Sequence, residues 1–191
     1  MEVLVFEIFA PFGHFRIPYT TTSPLTYSIP PKTAVAGMVG GIIGLDKKDY
    51  LKCFNNDNFK IAIQILNPIK MIHINENFLN VKSIKFFARW KKNSNPRTQI
   101  NVEFLKEPKY RIYFFHSDEN IYSELKKRLS AHQSYYTLCM GLSECLANYN
   151  YLGEFEIKNE KLDKETEINS VVPLSILNKD SLILFKENEP R

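Results

Sequence analysis

The chain has 191 residues, which suffices for one domain, or for one domain with a sizeable appendage, and for a real hydrophobic core. Its composition is globular, with 44% hydrophobic residues and a net charge of +4. An odd number of cysteines, three, without zinc-type spacing argues against a disulfide framework and a structural metal, and favours a reducing, cytoplasmic setting. We expect no signal peptide and no membrane span, because Glu2 and Glu7 interrupt the apolar start and the apolar run at 34–45 is short.

The first half of the chain predicts two strands and one helix. Residues 3–9, VLVFEIF, predict a buried strand, and a long loop follows to Pro31. A helix is predicted at 33–44, and its four glycines share one face. Each glycine costs a helix about 1 kcal/mol against alanine, so we expect this face to approach a sheet closely. Residues 59–66, FKIAIQIL, predict the second strand by their alternation.

The second half predicts a strand, a helix and shorter strands. Residues 69–109 lack a clean period, and 110–116, YRIYFFH, predict the third strand. Ser117 or Asp118 is suited to cap the helix that follows. The remaining expectations are a short strand at 154–158, a solvated charged loop at 159–169 and two further strands within 171–185.

The order of these elements predicts an α+β fold. A β-α-β unit, an insertion and a second β-α-β unit make the ferredoxin-like, RRM-like βαββαβ core, with the insertion between its second and third strands. Sheets of this kind commonly bind single-stranded RNA through aromatic and basic residues on the exposed face.

Positive charge is concentrated in the insertion and just after it. Residues 82–111 hold nine Lys and Arg and two acids, so they carry +7 and leave −3 for the remainder of a chain of net charge +4. A local basic stretch in a faintly acidic protein indicates a polyanion-binding surface. A protein–protein adaptor that meets an acidic partner remains an alternative, and the salt dependence of binding separates the two.

The loop and helix at residues 15–44 hold the parts of a second anion-binding surface. Arg16 has a planar fork of donors that suits phosphate. Lys32 and Thr33 follow a Pro-Pro pair, where a helix N-terminus exposes free backbone N–H groups. Short hydroxyls come from Thr20, Thr21, Thr22 and Ser23. The alternative interpretation is a strand, a loop and a packed helix without a ligand.

Three separated blocks of the chain carry a family pattern. They are FEIFAPFGHFRIPYTTTSPLTYSIPPKTAVAGMVGGIIG at 6–44, PRTQINVEFLKEPKYRIYF at 96–114 and TLCMGLSECLANYNYLGEF at 137–155. In this order they closely resemble the CRISPR-associated Cas-five family of the RAMP superfamily, and the detailed pattern is most similar to members from type I-B systems.

The resemblance implies a domain plan and a role. It implies a RAMP domain over 1–158, a basic thumb at 69–109, and a C-terminal charged loop with short strands at 159–191. Many members run further, so a short member and a truncated chain both stay open. The implied role is a non-catalytic RNA-binding subunit of a type I Cascade interference complex, without cofactor or metal, which caps the 5′ handle of the guide RNA. Its implied partners are the guide RNA, the backbone subunit of the seventh family and the large subunit.

The resemblance also carries over candidate RNA-contacting residues, position by position. They are Phe15, Arg16, Thr20, Thr21, Thr22, Lys32, Thr33, Arg89, Lys91, Lys92, Arg97, Arg111, Gly141 and Ser143. For each Arg the alternative is a solvated surface charge. For Tyr110 and Tyr113, in a predicted strand, simple core packing is favoured over contact with RNA.

An endoribonuclease that processes precursor CRISPR RNA without metal is the alternative function, as in type I-C relatives. Such cleavage needs a base near the 2′-OH and an acid near the leaving oxygen. His14 and His116 are the candidates for this base and acid. The nuclease branch resembles a Tyr with an adjacent Lys-His pair, and this chain has no Lys-His dipeptide. We therefore expect no catalytic residues and take His14 as a loop residue in contact with RNA or solvent.

Overall fold

The computed structural model describes residues 2–20, 22–46, 48–55, 58–79, 97–157 and 168–172. Its elements, in chain order, are β1 (Glu2–Phe9), β2 (Phe12–Gly13), α1 (Lys32–Ile43), α2 (Tyr50–Cys53), β3 (Phe59–Ile65), β4 (Met71–Leu79), β5 (Arg97–Lys106), β6 (Lys109–His116), α3 (Glu119–Ser130) and β7 (Asn148–Glu156).

The main sheet is antiparallel and has four strands in the order β3-β6-β1-β7. In the chain, α1 lies between β1 and β3, and α3 lies between β6 and β7. The mixed class of strands and helices is therefore as predicted. Strands were expected at 3–9, 59–66 and 110–116, and the structure places β1, β3 and β6 there.

The core lies between this sheet and the two long helices. Because side chains alternate along a strand, Leu4, Phe6 and Ile8 of β1 share the face that packs with the helices. Leu125 and Leu129 of α3 are buried in the same cluster. The helix α3 begins where the sequence predicts, since the Asp118 carboxylate accepts from the backbone N–H of Asn120 at 2.9 Å.

A second sheet contains β2, β5 and β4 in that order. Its hairpin of β4 and β5 corrects the expectation that residues 69–109 lack a clean period. Ile72 and Ile74 alternate along β4 and pair with Phe104 and Val102 of β5. Glu76 takes the next position on the apolar face of β4 and so interrupts the period of two in the sequence. The basic residues at 80–96 lie outside the described part of the chain.

The glycine face of α1 is a further correction. A Cβ added to Gly37 or Gly41 would have no atom within 4 Å, so this face does not approach a sheet. Both glycines instead line a cleft of about 370 Å³ that Tyr136 and Gly141 border on its other side. The helix ends as expected at Gly44, whose φ of 83° is left-handed.

The C-terminal predictions are only partly covered. β7 runs from Asn148 to Glu156, so the short strand predicted at 154–158 begins six residues earlier. Most of the loop and strands predicted between 159 and 185 lie outside the described residues, and the backbone N–H of Val171 donates to the Ile63 carbonyl at 2.8 Å. In the part of the chain that is described, no helix has the length and apolar character needed to cross a membrane.

Candidate nucleic-acid interface

The loop between β2 and α1 is a folded hairpin-like structure over residues 14–28. Its two arms meet through backbone hydrogen bonds, from Ile17 to the Leu25 carbonyl at 2.9 Å and from Tyr27 to the Phe15 carbonyl at 2.8 Å. The backbones of Arg16 and Thr26, one in each arm, form an antiparallel β-bridge. The loop therefore has a defined shape on which exposed side chains can be presented.

Arg16 and the hydroxyl residues lie in the first arm and the turn of this loop. Arg16 is exposed, and its Nη2 donates to the Thr20 carbonyl at 3.2 Å. The Thr20 hydroxyl is used within the loop, since it donates to the Ile17 carbonyl at 2.8 Å and accepts from the Leu25 N–H at 3.2 Å. Thr22 is exposed, and Thr21 lies outside the described residues. Arg16 and Thr22 are thus the candidates of this loop that face solvent.

Phe15 is a correction to the predicted site. Its side chain is only 3% exposed and belongs to the core cluster. Its N–H donates to the Thr26 hydroxyl at 2.8 Å. A ring held in the core cannot stack on a base, so Phe15 positions the loop that carries Arg16.

The loop docks on β5 through Glu103. The Glu103 N–H donates to the Pro24 carbonyl, and its carboxylate accepts from the Thr26 N–H, both at 3.0 Å. The Glu103 carbonyl accepts from the Nδ1 of His14 at 2.7 Å. His14 is 2% exposed, which overturns its expected contact with RNA or solvent. The Arg16 loop therefore lies beside the base of the β4–β5 hairpin.

The third sequence block joins at the same place. The His14 N–H donates to the Met140 carbonyl at 3.0 Å. Gly141 follows with a φ of +94°, and a Cβ on it would lie 1.9 Å from the His14 carbonyl oxygen. Close packing against the His14 backbone therefore requires glycine at position 141. Ser143 is exposed, and its hydroxyl donates to the Glu144 carboxylate at 2.9 Å.

Lys32 and Thr33 stand at the beginning of α1, as the Pro-Pro pair predicts. Thr33 is exposed. The Lys32 amine lies 5.0 Å from the centroid of the Phe59 ring, which is a cation–π contact at the beginning of β3. This contact directs the Lys32 amine toward the main sheet.

Arg111 belongs to an ion-pair cluster on the main sheet. Its Nη2 lies 2.7 Å from one carboxylate oxygen of Glu7, and the Lys109 amine lies 2.8 Å from the other. Hydrogen bonds from Lys109 and Arg111 hold the pKa of the Glu7 carboxyl below its ordinary value. Arg111 alternates with Tyr110 and Ile112, which are buried against the helices, so it occupies the opposite face of the sheet.

Of the two tyrosines of β6, Tyr110 packs in the core as predicted, and Tyr113 does not. Tyr110 is fully buried, and its hydroxyl donates to the Ser28 carbonyl at 2.5 Å. Burial raises its pKa well above the ordinary value. Tyr113 lies on the same face as Arg111, and its hydroxyl donates to the Gln64 amide oxygen at 3.1 Å.

Arg97 lies at the far end of the hairpin from the Arg16 loop. It begins β5, six positions before Glu103, which corresponds to about 20 Å along a strand. Arg89, Lys91 and Lys92 fall outside the described residues. The structure therefore gathers the Arg16 loop, the hairpin base and the Gly141 loop, while Arg97 and Arg111 stand apart.

The two histidines considered for catalysis are both buried. His116 is 4% exposed, its Nε2 donates to the Cys53 carbonyl at 2.8 Å, and its Nδ1 accepts from the Asp118 N–H at 3.0 Å. Both ring nitrogens are thus engaged in joining α2 to the beginning of α3. Among the described residues, no group of three His, Cys, Asp or Glu side chains is placed to hold a metal ion.

Sequence reasoning missed the polar outward face of the hairpin. Asn75, Asn77, Gln99 and Asn101 recur at a spacing of two in their strands and are all exposed. The period of two within each strand was the available signal, and Glu76 on the apolar face of β4 interrupts it.

Comparison with known families identifies the chain. Residues 3–177 match the family described as CRISPR-associated protein (Cas_Cas5). The match covers most of the chain, so the chain belongs to this family, the Cas-five family of the resemblance. Curated protein sequences give no match.

A solved structure shares the fold of this chain at low sequence identity, and others show a weaker similarity. A chain of a structure described as "CRISPR RNA-guided surveillance complex" superposes with a TM-score of 0.57 at 12% identity, over 75% of this chain and 59% of that one. This chain thus spans less than two thirds of that relative. Two others are a "CRISPR-associated Protein" (TM-score 0.46, 14% identity, 80% of this chain and 69% of that one) and the functionally uncharacterized protein SMU1763c from Streptococcus mutans (TM-score 0.45, 13% identity, 80% and 69%).

Proposed function

We propose that this chain is a non-catalytic RNA-binding subunit of a type I CRISPR Cascade interference complex, of the type I-B pattern. It binds and caps the 5′ handle of the guide RNA in the cytoplasm. It contacts the backbone subunit of the seventh family and the large subunit. Family membership and the fold shared with a chain of a surveillance complex support this proposal.

The observation that carries the proposal is the meeting of the three sequence blocks at His14 and Glu103. Met140 of the third block accepts from the His14 N–H, and Glu103 of the second block holds Thr26 of the first. Residues far apart in the chain therefore form one buried junction, which holds the Arg16 loop, the hairpin base and the Gly141 loop side by side at one surface. Such a surface suits a single strand of RNA, whose phosphates position it and whose bases stay accessible.

The main sheet supports a ferredoxin-like core. Its order β3-β6-β1-β7, with one helix before β3 and one before β7, is the arrangement that a βαββαβ chain gives. The β4–β5 hairpin enters between β3 and β6, where the basic thumb is expected. We take this hairpin as the thumb.

The burial of both candidate histidines supports a non-catalytic role. A general base must reach the proton that it removes within hydrogen-bond distance. His14 and His116 are 2% and 4% exposed, and backbone groups occupy the nitrogens described above. Neither of the two histidines considered for precursor RNA cleavage is therefore accessible to an RNA 2′-OH.

The test is co-expression with the other Cascade subunits and a CRISPR array, followed by purification through a tag on this chain. We expect recovery of guide RNA whose 5′ handle is protected from nuclease. Recovery of the partner subunits without RNA would favour the adaptor, and recovery of neither would overturn the proposal. Replacement of Arg16 by Ala in the same experiment should weaken handle protection. Lys52→Ala, at an exposed position of α2, is the charge-matched control.

A further inference from the structure

The outward face of the β4–β5 hairpin carries a compact group of side-chain amides. The strand register pairs Asn75 with Asn101 and Asn77 with Gln99, in neighbouring rungs of the hairpin. All four side chains are exposed, and none forms a hydrogen bond within the part of the chain that the structure describes. We refer to these four residues as the carboxamide ladder.

The hairpin gives the ladder a regular geometry. Side chains directly opposite each other in an antiparallel pair have Cβ atoms about 5 Å apart, and successive rungs on one face are about 7 Å apart. The ladder is therefore a two-by-two array of amides. Each amide offers an acceptor oxygen and two N–H donors, so a rung can satisfy a donor and an acceptor of one ligand together.

The other face of the hairpin fixes which way the ladder points. Val102 and Phe104 are both 3% exposed and belong to the core cluster, and Ile72, Ile74 and Ile100 pack against that cluster. Because strand side chains alternate, burial of this set turns the amides outward. The ladder is thus presented by a strand pair anchored in the core.

The charges at the two ends of the ladder suit a polyanion. The next rung on one side pairs His73 with Glu103, beside which the Arg16 loop docks. The next rung on the other side pairs exposed Leu79 with Arg97. Glu103 is the carboxylate of this face within the two described strands, and its oxygens already meet the Thr26 N–H and His73. Neutral amides therefore lie between two arginine-bearing regions.

We propose that the carboxamide ladder reads base edges of single-stranded RNA, with a preference for adenine. The proposal rests on the proposed RNA-binding function and assigns its base-reading surface. Asn and Gln amides match the paired donor and acceptor of adenine in two hydrogen bonds. Single-stranded RNA exposes such base edges, while arginines at either end take phosphates. The two amide rungs themselves contain no apolar side chain, which favours RNA over a protein partner that docks on an apolar anchor.

The experiment measures binding of the full chain to oligoadenylate, oligocytidylate and oligouridylate of equal length. We expect the wild-type chain to bind oligoadenylate most tightly. The double variant Asn75→Ala/Asn101→Ala removes both amides of one rung. In this variant the ratio of affinities for oligoadenylate and oligouridylate should decrease by a factor of about 5 to 150, the range for one bidentate contact. The melting temperature should stay at the wild-type value because both side chains are exposed.

Two controls separate this inference from the function on which it rests. Thr98→Ala changes an exposed position on the opposite face of β5 and should keep the base preference. Arg16→Ala should weaken all three RNAs alike. An unchanged preference in the double variant, or a wild-type chain that binds the three RNAs equally or not at all, overturns the ladder as a base reader. Recovery of protected guide RNA in the co-expression experiment would still support the proposed function in each case.

Discussion

The backbone of Gly141 lies against the backbone of His14 so closely that a Cβ at position 141 would overlap the His14 carbonyl oxygen, at 1.9 Å. His14 also donates its N–H to Met140 and its Nδ1 to Glu103. One buried residue thus connects the Gly141 loop, the Arg16 loop and the hairpin base. The shape of the candidate interface depends on this junction.

Gly141→Ala is therefore expected to destabilise the fold. The added methyl meets backbone rather than a flexible side chain, and the φ of +94° is unfavourable for alanine. Strain of this kind costs about 1–3 kcal/mol, and the overlap adds to it. Thermal unfolding should show a clearly lower melting temperature. A variant that melts with the wild type would mean that the two loops do not touch as described.

Gly37→Ala and Gly41→Ala should have the opposite effect. Both positions are helical, and a Cβ there meets no atom within 4 Å. Alanine favours a helix by about 1 kcal/mol over glycine, so each variant should melt about 2–4 °C higher in a protein of this size. These two variants are also the matched controls for Gly141→Ala. A drop in melting temperature would show that the open face of α1 is packed against another part of the chain.

The difference between these glycines shows how far sequence reasoning reaches. The apolar spacing and the Pro-Pro pair were sufficient to locate α1, because helix formation and its first turn depend on local residues. Whether Gly37 or Gly141 is closely packed depends on a chain segment about a hundred residues away. Local sequence does not show which distant segment packs on each glycine, so the prediction that the glycine face approaches a sheet was wrong: Gly37 and Gly41 are open, and Gly40 and Gly44 meet Tyr50 and Tyr135.

The features of the candidate interface also divide into those that local sequence predicts and those that depend on distant parts of the chain. The exposure of Arg16 follows from local sequence and was predicted, and α1 begins at Lys32, one residue before the predicted start. Burial of Phe15 and the Glu7 partner of Arg111 depend on pairing between strands that are far apart in sequence. Both arginines look alike in the sequence, and only the fold separates an exposed cation from a paired one.

Glu7→Gln should lower stability at neutral pH. The Glu7 side chain is 9% exposed and receives both Lys109 and Arg111, whose side chains are 34% and 32% exposed. Removal of one partner of a fully buried pair costs about 3–5 kcal/mol, so about 1–3 kcal/mol is expected for this partly exposed cluster. Urea unfolding near pH 7 measures this loss. Glu156→Gln, at an exposed position of β7, is the control and should be close to neutral.

The same ion pair predicts a dependence on pH. The folded protein lowers the Glu7 pKa from its ordinary value of 4.5, so the carboxylate stabilises the fold above that pH. This stabilisation is lost as the pH falls through the lower pKa of the folded state. The stability difference between wild type and Glu7→Gln should therefore shrink below about pH 4.5. A difference that is constant across this window would contradict the ion pair.

The purified chain should not cleave its own repeat RNA, with or without divalent metal. His14→Ala and His116→Ala should instead lower the melting temperature, because each leaves a buried carbonyl without its donor, at a cost of about 1–3 kcal/mol. Gel analysis of labelled repeat RNA measures the first outcome and thermal unfolding the second. Specific cleavage that disappears in a folded His14→Ala or His116→Ala variant would reverse the assignment to a non-catalytic subunit.

Arg16→Ala and Arg111→Ala should separate a phosphate contact from a structural ion pair. Each phosphate contact to a single strand adds about 0.7 to the slope of log affinity against log salt. We expect Arg16→Ala to reduce that slope by about this amount and to weaken any handle sequence alike, because its guanidinium is exposed on the docked loop. We expect Arg111→Ala to keep the slope and lower the melting temperature, because Glu7 already holds its guanidinium at 2.7 Å.

Arg97→Ala is the third arginine variant to compare. For all three, the salt dependence of handle-RNA binding is measured in the assembled complex. Arg97 stands at the far end of the hairpin, about 20 Å from the Arg16 loop, so its loss should reduce the slope independently of Arg16. The double variant Arg16→Ala/Arg97→Ala should then lose about twice the slope of either single variant, since distant sites act additively. Lys52→Ala removes an exposed charge elsewhere and should keep the wild-type slope. Equal slopes in all of these proteins would show that the strand of RNA follows a different surface.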